Sequence, residues 1–426
     1  MLTHILMVMM GLLIGVVVKA LGKYNPLPYT VTLFAIGIAI GLCSQVELFG
    51  EDTYFNKGVD MVFSMDPDFI LYVFLPILVF DAAYEMDLTT FNKTFFNSTL
   101  LAGPGLVICM LLTACLVMGL LHLSGEYNSD MWIFALMFGG LISATDPVAV
   151  VALLQELGTS KKFSTLVDGE SLLNDASGLV CFMMFYSHFI AKGGVGNPVI
   201  YFGWVILASF IIGYIVYRLT LKSVKLIKDE MLQICVVVVA AYATFMIAQS
   251  LLEVSGVISL VVFGHYFAQS GRPSLSESTN KDMEKFWSLL AYVANTLIFL
   301  MVGILIATKV DLTWTRVLYA VLVYVGLNII RFIMIGLLYP ILKRKGYGLS
   351  LREAIVLGWG GLRGALSMSM ALMVSYNMDI PQHPRDSILI YTAGVITLTL
   401  CINATTSKWL VKKLQMGQAP EKQKAC

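Results

Sequence analysis

The sequence predicts an all-α polytopic membrane protein, and three observations carry that prediction. Of the 426 residues, 58% are hydrophobic and only 13% are charged, against about a quarter charged in an ordinary soluble domain. Apolar runs that reach or pass the ~20 residues a helix needs to cross a bilayer recur along the whole chain. Short polar gaps separate these runs, which lack the brief alternating pattern of membrane β-strands.

Taken in order, the runs predict helices near 3–20, 27–45, 68–84, 97–123, 131–156, 163–191, 198–217, 231–252, 256–270, 286–308, 314–342, 350–376 and 386–412. The first has no basic residue ahead of its apolar stretch, and Lys19 and Lys23 follow it. A cleavable signal peptide has the reverse polarity, so this stretch reads as a first spanning helix. Thirteen spans put the termini on opposite sides. With the N-terminus outside, 21 of the 28 lysines and arginines fall in cytoplasmic segments and five in outer loops, while Arg331 and Arg363 lie inside helices. That bias gives an outer N-terminus and a cytoplasmic C-terminus. Residues 1–412 then form one membrane transport unit, embedded in lipid, and 413–426 a cytoplasmic tail.

A net charge of +1 gives no footprint for nucleic acid. The seven cysteines are scattered, mostly in apolar runs, with neither a disulfide framework nor metal-ligand spacing. No cofactor is expected.

Ionisable side chains inside spans are costly, so each is a functional candidate. In "FLPILVFDAAYEMD", Asp81 ends an apolar run in the third span; it is either a site residue or wet at the interface. In "GLISATDPVAVVALL", Pro147 removes a backbone donor and crowds the carbonyl four residues back, which opens the fifth span around Ala144 to Asp146. Freed carbonyls facing a carboxylate make a cation site. In "LVDGESLLNDASGLV", Ser171 and Asp175 share one face of the sixth span, with Glu170 and Asn174 on the adjacent stripe. Such hard oxygen ligands suit a small cation. Asp168, nearer the loop at Thr159 to Lys162, reads as solvated and outside the site.

In "LGWGGLRGALSMSM", four glycines, Gly358, Gly360, Gly361 and Gly364, weaken the twelfth span and permit close backbone approach. If thirteen helices are two inverted six-helix repeats joined by the seventh, helices 5 and 12 are the fifth of each half. Both are then discontinuous and cross, the sequence pointer to a midplane site in a secondary transporter. Asp146 and Arg363 would each neutralise one half-helix end. Arg331 in the eleventh span needs a carboxylate. Glu170 is the expected partner, with Arg363 as the alternative one for Glu170.

Together "ATDPVAVVALL", "GESLLNDASGLV", "FLPILVFDAAYEMD", "TLIFLMVGI" and "GLRGALSMSMAL" resemble the sodium/proton exchangers of the monovalent cation:proton antiporter-1 family, from about Pro26 to the thirteenth span. The resemblance implies a homodimer whose ion-binding core moves like an elevator against a dimerisation scaffold. The core would lie near 68–191 and 286–376, the scaffold near 1–45, 198–270 and 386–412. It implies Asp175 as the carboxylate shared by cation and proton, Asn174 holding the broken fifth helix, and Asp146 with Thr145 as ligands at the crossing. Ser171 and Asp81 would be neighbours of the cation, and Na+ would sit at Asp175, Asp146, Ser171 and Thr145. An Asn-Asp pair where electrogenic relatives have Asp-Asp resembles the electroneutral type. Where bacterial members often carry Glu, Asp81 resembles the animal exchangers.

The expected function is exchange of Na+ or Li+ for H+ across a cell membrane, with proton and cation competing for Asp175 near neutral pH. K+/H+ exchange stays open, as does a cation channel without proton coupling. An intramembrane aspartyl protease is disfavoured, because neither Asp146 nor Asp175 sits in a GxGD-like loop, so no enzyme is expected. His265 could sense pH or be structural.

Overall fold

The computed structural model describes residues 2–24, 27–46, 50, 53–63, 66–86, 88–124, 128, 131–190, 198–309 and 313–416. All regular elements among them are helical. Seven helices are long and apolar enough to cross a membrane: Thr89–Leu123, Met131–Glu156, Ile200–Leu226, Glu230–Leu251, Glu277–Thr308, Trp314–Arg344 and Gln382–Lys413. The chain is therefore a multi-pass integral membrane protein. Shorter apolar helices lie at Ile5–Ala20, Tyr29–Gln45 and Ala365–Tyr376.

Two helices begin well before the apolar signal that announces them. Leu88–Leu100 is helical through the polar run LTTFNKTFFNST, with Thr94, Asn97 and Ser98 turned inward and Asn92 and Lys93 exposed. The Ser98 hydroxyl donates to the Leu166 carbonyl at 3.3 Å, and the Asn97 amide donates to the Leu342 carbonyl at 3.3 Å. Glu277–Lys309 starts with a charged turn tied by a Lys281 to Glu277 ion pair. A third helix, Tyr54–Phe63, was not expected at all. It is short and half polar, with Asn56, Val59 and Val62 buried and Tyr54, Lys57 and Asp60 outward, so hydropathy alone reads it as a loop.

Proline and wide turns bend several spans. A π-helical turn at Ile70–Phe74 precedes Pro76, and the Tyr242 hydroxyl donates to the Val73 carbonyl there at 2.8 Å. Another, at Leu101–Gly105, surrounds Pro104. Such turns expose carbonyls that need new partners.

The helices pack as two sets. In one, Tyr29–Gln45 runs along Glu277–Lys309 with Leu2–Ala20 and Tyr54–Phe63, and helix 67–85 lies against Gly256–Ser270 and Glu277–Lys309. Pro198–Leu226 and Glu230–Met246 complete this set against Gly256–Ser270. In the other, helix 88–124 packs with Met131–Ser143, Lys161–Ile190 and Trp314–Arg344, and Gln382–Leu398 packs on Trp314–Arg344 and Ala365–Tyr376. Packing thus places 67–85 and 277–309 beside the helices at 2–45 and 198–270, and 382–413 beside those at 131–190 and 314–376.

Burial separates lipid-facing from interior spans. In Ile200–Leu226 22% of the most apolar window is buried inside the protein, whereas in Met131–Glu156 the share is 72%. Non-helical backbone at membrane depth is tolerated only when protein or a wet cavity surrounds it, and the broken helix is the interior one.

Glycines set the close approach of Tyr29–Gln45 and Glu277–Lys309. A Cβ on Gly303 would lie 2.4 Å from the Phe34 carbonyl oxygen, and one on Gly37 would lie 2.3 Å from the Leu300 carbonyl oxygen. Gly303→Ala should therefore force two backbones apart and cost about 1–3 kcal/mol, read as a lower melting temperature in detergent. Gly336→Ala, where an added Cβ meets nothing within 4 Å, is the control. Equal melting of the two variants would refute the close approach.

Candidate functional site

Two helices break, and the breaks meet. Residues 144–147 are non-helical between Met131–Ser143 and Val148–Glu156, and residues 360–364 interrupt the chain between Leu351–Trp359 and Ala365–Tyr376. The Asp146 N–H donates to the Leu362 carbonyl at 3.0 Å, which joins the two breaks through their backbones. A Cβ at Gly364 would lie 2.2 Å from Asp146 Oδ2, so only glycine lets the second chain come so near. The Ser367 hydroxyl adds a bond to the Leu141 carbonyl at 3.0 Å.

Side chains neutralise the exposed half-helix ends. Asp146 Oδ1 accepts from the Val148 N–H at 3.0 Å, where the second half-helix begins. Arg363 Nη1 donates to the carbonyls of Gly361 at 2.6 Å and Leu362 at 3.3 Å, beyond the end of Leu351–Trp359.

The unbroken helix Lys161–Ile190 organises both breaks, using two of its faces. On one face, Asn174 Nδ2 donates to Thr145 Oγ1 at 3.0 Å and to Glu170 Oε1 at 3.1 Å. The Thr145 hydroxyl donates to Glu170 Oε1 at 3.5 Å. Arg331 closes the network as a fork, Nη1 to Oε1 at 3.0 Å and Nη2 to Oε2 at 3.1 Å of Glu170. These side chains are only 5% and 2% exposed, so their charges offset each other out of water. Glu170 pairs with Arg331, and Arg363 binds carbonyls instead.

The other face lines a cavity of about 720 Å³, whose wall includes Asp175, Ser171, Asp146 and Asp81. Ser171 donates to the Thr145 carbonyl at 3.0 Å, which fixes its proton and leaves its oxygen lone pairs available. The half-buried Asp175 carboxylate accepts no hydrogen bond from any described residue. Asp81 enters from helix 67–85, with Oδ1 buried and without a partner. Of the expected Na+ ligands, Thr145 stands apart. Its hydroxyl is taken up by Asn174 and Glu170 behind the wall, and only its carbonyl reaches toward Ser171.

Two wall residues were missed by sequence reasoning. Asp168, read as solvated, is half-buried and lines the same cavity. The signal was present, since Asp168, Ser171 and Asp175 follow the i, i+3, i+7 spacing of one helical face. Asn295, on Glu277–Lys309, also lines the wall, and nothing in its apolar surroundings announced it.

A family profile described as sodium/hydrogen exchanger, transmembrane, matches residues 5–413. Sodium/hydrogen exchanger 8 of Arabidopsis thaliana is 36% identical over 95% of this chain and 54% of its own length. For sodium/hydrogen exchanger 7 of the same plant the figures are 35%, 99% and 37%, so the chain spans about half or less of these two relatives. The Na(+)/H(+) antiporter NhaH of Halobacillus aidingensis is 30% identical over 96% of this chain and 98% of its own. The fold is similar to that of the sodium proton antiporter MjNhaP1 of Methanocaldococcus jannaschii, with a TM-score of 0.76 at 17% identity over 96% and 97% of the two chains.

Removing one partner of a buried ion pair strands the other charge. Arg331→Ala should accordingly lower stability by ~3–5 kcal/mol, and Arg331→Lys should recover only part of it, because an ammonium cannot make the fork. Thermal unfolding in detergent measures both. A lysine variant as stable as the parent would show that the bidentate geometry contributes nothing.

Proposed function

Because the chain belongs to the transmembrane sodium/hydrogen exchanger family, we propose that it exchanges Na+ or Li+ for H+ across a membrane, one for one, with Asp175 as the carboxylate that carries each in turn. The observation that supports this most is the Asp175 carboxylate itself, free of protein hydrogen bonds in a cavity wall beside two broken helices. No described residue competes for its lone pairs, so a cation or a proton can bind there.

Burial disfavours an ionised carboxyl and an adjacent cation favours it, so proton and metal exclude each other at one group. Only the neutralised site is free of the cost of carrying a bare charge through the membrane. Asp146 and Ser171 add oxygens for the bound cation, with the Thr145 carbonyl behind them. Asn174, uncharged and tied to Thr145 and Glu170, holds the break in place.

Movement is assigned to the set of helices that holds the site, sliding as an elevator against the other set. Dense packing within each set and sparse packing between them favour this reading. Thirteen spans in two inverted halves, an outer N-terminus, a homodimer and a cell-membrane location extend the same proposal. The cavity wall includes Glu85, Thr159 and Lys161, at the end that the lysine and arginine bias assigns to the cytoplasm, so this conformation is taken to face inward.

Exchange in proteoliposomes under an imposed pH gradient tests the proposal, with NaCl, LiCl, KCl and choline chloride added in turn. Na+ or Li+ should dissipate the gradient in the parent and not in Asp175→Asn, at a rate unchanged when the membrane potential is clamped to zero. Proton competition has a definite sign. As pH falls, more Asp175 is protonated, so the Na+ concentration for half-maximal rate should rise. An active Asp175→Asn removes Asp175 as the carrier, and a response to K+ alone overturns the choice of cation.

A further inference from the structure

The cavity has two walls of different character. The wall on the ion-site set carries Asp146, Ser171 and Asp175. The opposite wall is built partly by Glu277–Lys309, whose Ala291, Asn295, Ile298 and Phe299 face the cavity at the i, i+4, i+7, i+8 spacing of one helical stripe. Three of those four are apolar. Asn295 is the one polar side chain on the stripe, it is half-buried, and it makes no hydrogen bond to any described residue.

An amide left without protein partners on an otherwise apolar helical stripe is available to whatever water or ion the cavity holds, and Asp81 joins it in the lining from helix 67–85. It is also held in place. The neighbouring Thr296 hydroxyl bonds the Tyr29 hydroxyl at 2.7 Å and the Tyr292 carbonyl at 2.6 Å. Seven residues on from Thr296, Gly303 meets the Phe34 backbone at close quarters. The helix that presents Asn295 is thereby locked to Tyr29–Gln45 and cannot rotate to carry the amide away.

We propose that Asn295 is a cation-positioning residue of the stationary wall: its amide oxygen supplies one ligand to the partly dehydrated cation bound at Asp175 in this conformation and stays behind when the ion-site helices move. This rests on Asp175 being the carrier. A carbonyl-type oxygen is the hard, uncharged ligand that a small alkali cation accepts. Being uncharged, it adds affinity without adding a second site for the proton. Because it belongs to the wall that does not travel, it strengthens cation capture from the side to which this cavity opens and does not accompany the ion across. The amide would thus set the apparent affinity for Na+ without setting the rate of crossing.

The test separates affinity from rate. In the proteoliposome assay, Asn295→Ala should raise the Na+ and Li+ concentrations for half-maximal exchange about three- to tenfold, the worth of one uncharged polar contact, with maximal rate within about twofold of the parent. Asn295→Ser, which keeps a small oxygen ligand, should fall between them, and equilibrium binding of ²²Na+ to the detergent-solubilised protein should weaken in the same order. An Asn295→Ala variant with unchanged half-saturation overturns the inference, as does one whose maximal rate collapses while half-saturation stays put, since that marks a structural residue. Asp175→Asn run in parallel distinguishes the failures. If it still exchanges, the carrier assignment has failed; if it is dead and Asn295→Ala matches the parent, only the role of Asn295 has.

Discussion

Everything at the centre of this protein depends on one backbone hydrogen bond between two broken helices, Asp146 N–H to the Leu362 carbonyl. A lipid bilayer offers no partner for an unpaired peptide group, so helices there ordinarily satisfy themselves. Breaking two of them frees donors and acceptors in the place where water is scarcest. The chain answers by making each break the other's partner and by placing Asp146 and Arg363 at the ends that remain. Gly364 is what allows the approach, because any β-carbon there would collide with the Asp146 carboxylate.

The unbroken helix beside the crossing does two jobs because it has two faces. Residues 170 and 174 are four apart and turn toward Thr145 and Arg331, where every charge is matched. Residues 168, 171 and 175 turn toward the cavity. A rotation of one residue would exchange these roles and leave Glu170 unpaired in the cavity wall. The Arg331 fork fixes that rotation, so a pair that need contribute little net stability still determines which acid meets the ion.

Much of this was legible in the sequence, and the rest was hidden for identifiable reasons. Pro147 and the glycines around Leu362 announced both breaks, because each acts through the backbone of its own segment. The spacing of Glu170, Ser171, Asn174 and Asp175 separated the two faces. Asp168 was set aside from its nearness to a loop, although its register placed it with Ser171 and Asp175. Thr145 was counted as a cation ligand, and only tertiary contact reveals that Asn174 and Glu170 occupy its hydroxyl. The starts of the helices at 88 and 277 escaped hydropathy, since their polar side chains are satisfied by carbonyls and ion pairs that no local pattern encodes. Which helices pack together was the least legible feature, because packing partners lie far apart in the chain.

Charge around the crossing bears on the proposed one-for-one exchange. Glu170 and Arg331 cancel within a single fork. Arg363 sits between Leu362, which meets the Asp146 backbone, and Gly364, which abuts the Asp146 carboxylate, and its guanidinium binds the carbonyls of Gly361 and Leu362. On the proposal that Asp175 is the carrier, its one negative charge is the one that each ion neutralises, and no described residue donates a hydrogen bond to it. A proton neutralises it, and so does one monovalent cation; two of either would leave the site charged in the opposite sense. Had residue 174 been an acid, the same count would leave two charges, and the site would need a second proton or a cation of higher charge to cross. Under the proposed mechanism, the uncharged amide at Asn174 therefore has a consequence beyond its hydrogen bonds: it leaves one charge beside the break for an ion to neutralise, where an acid would leave two.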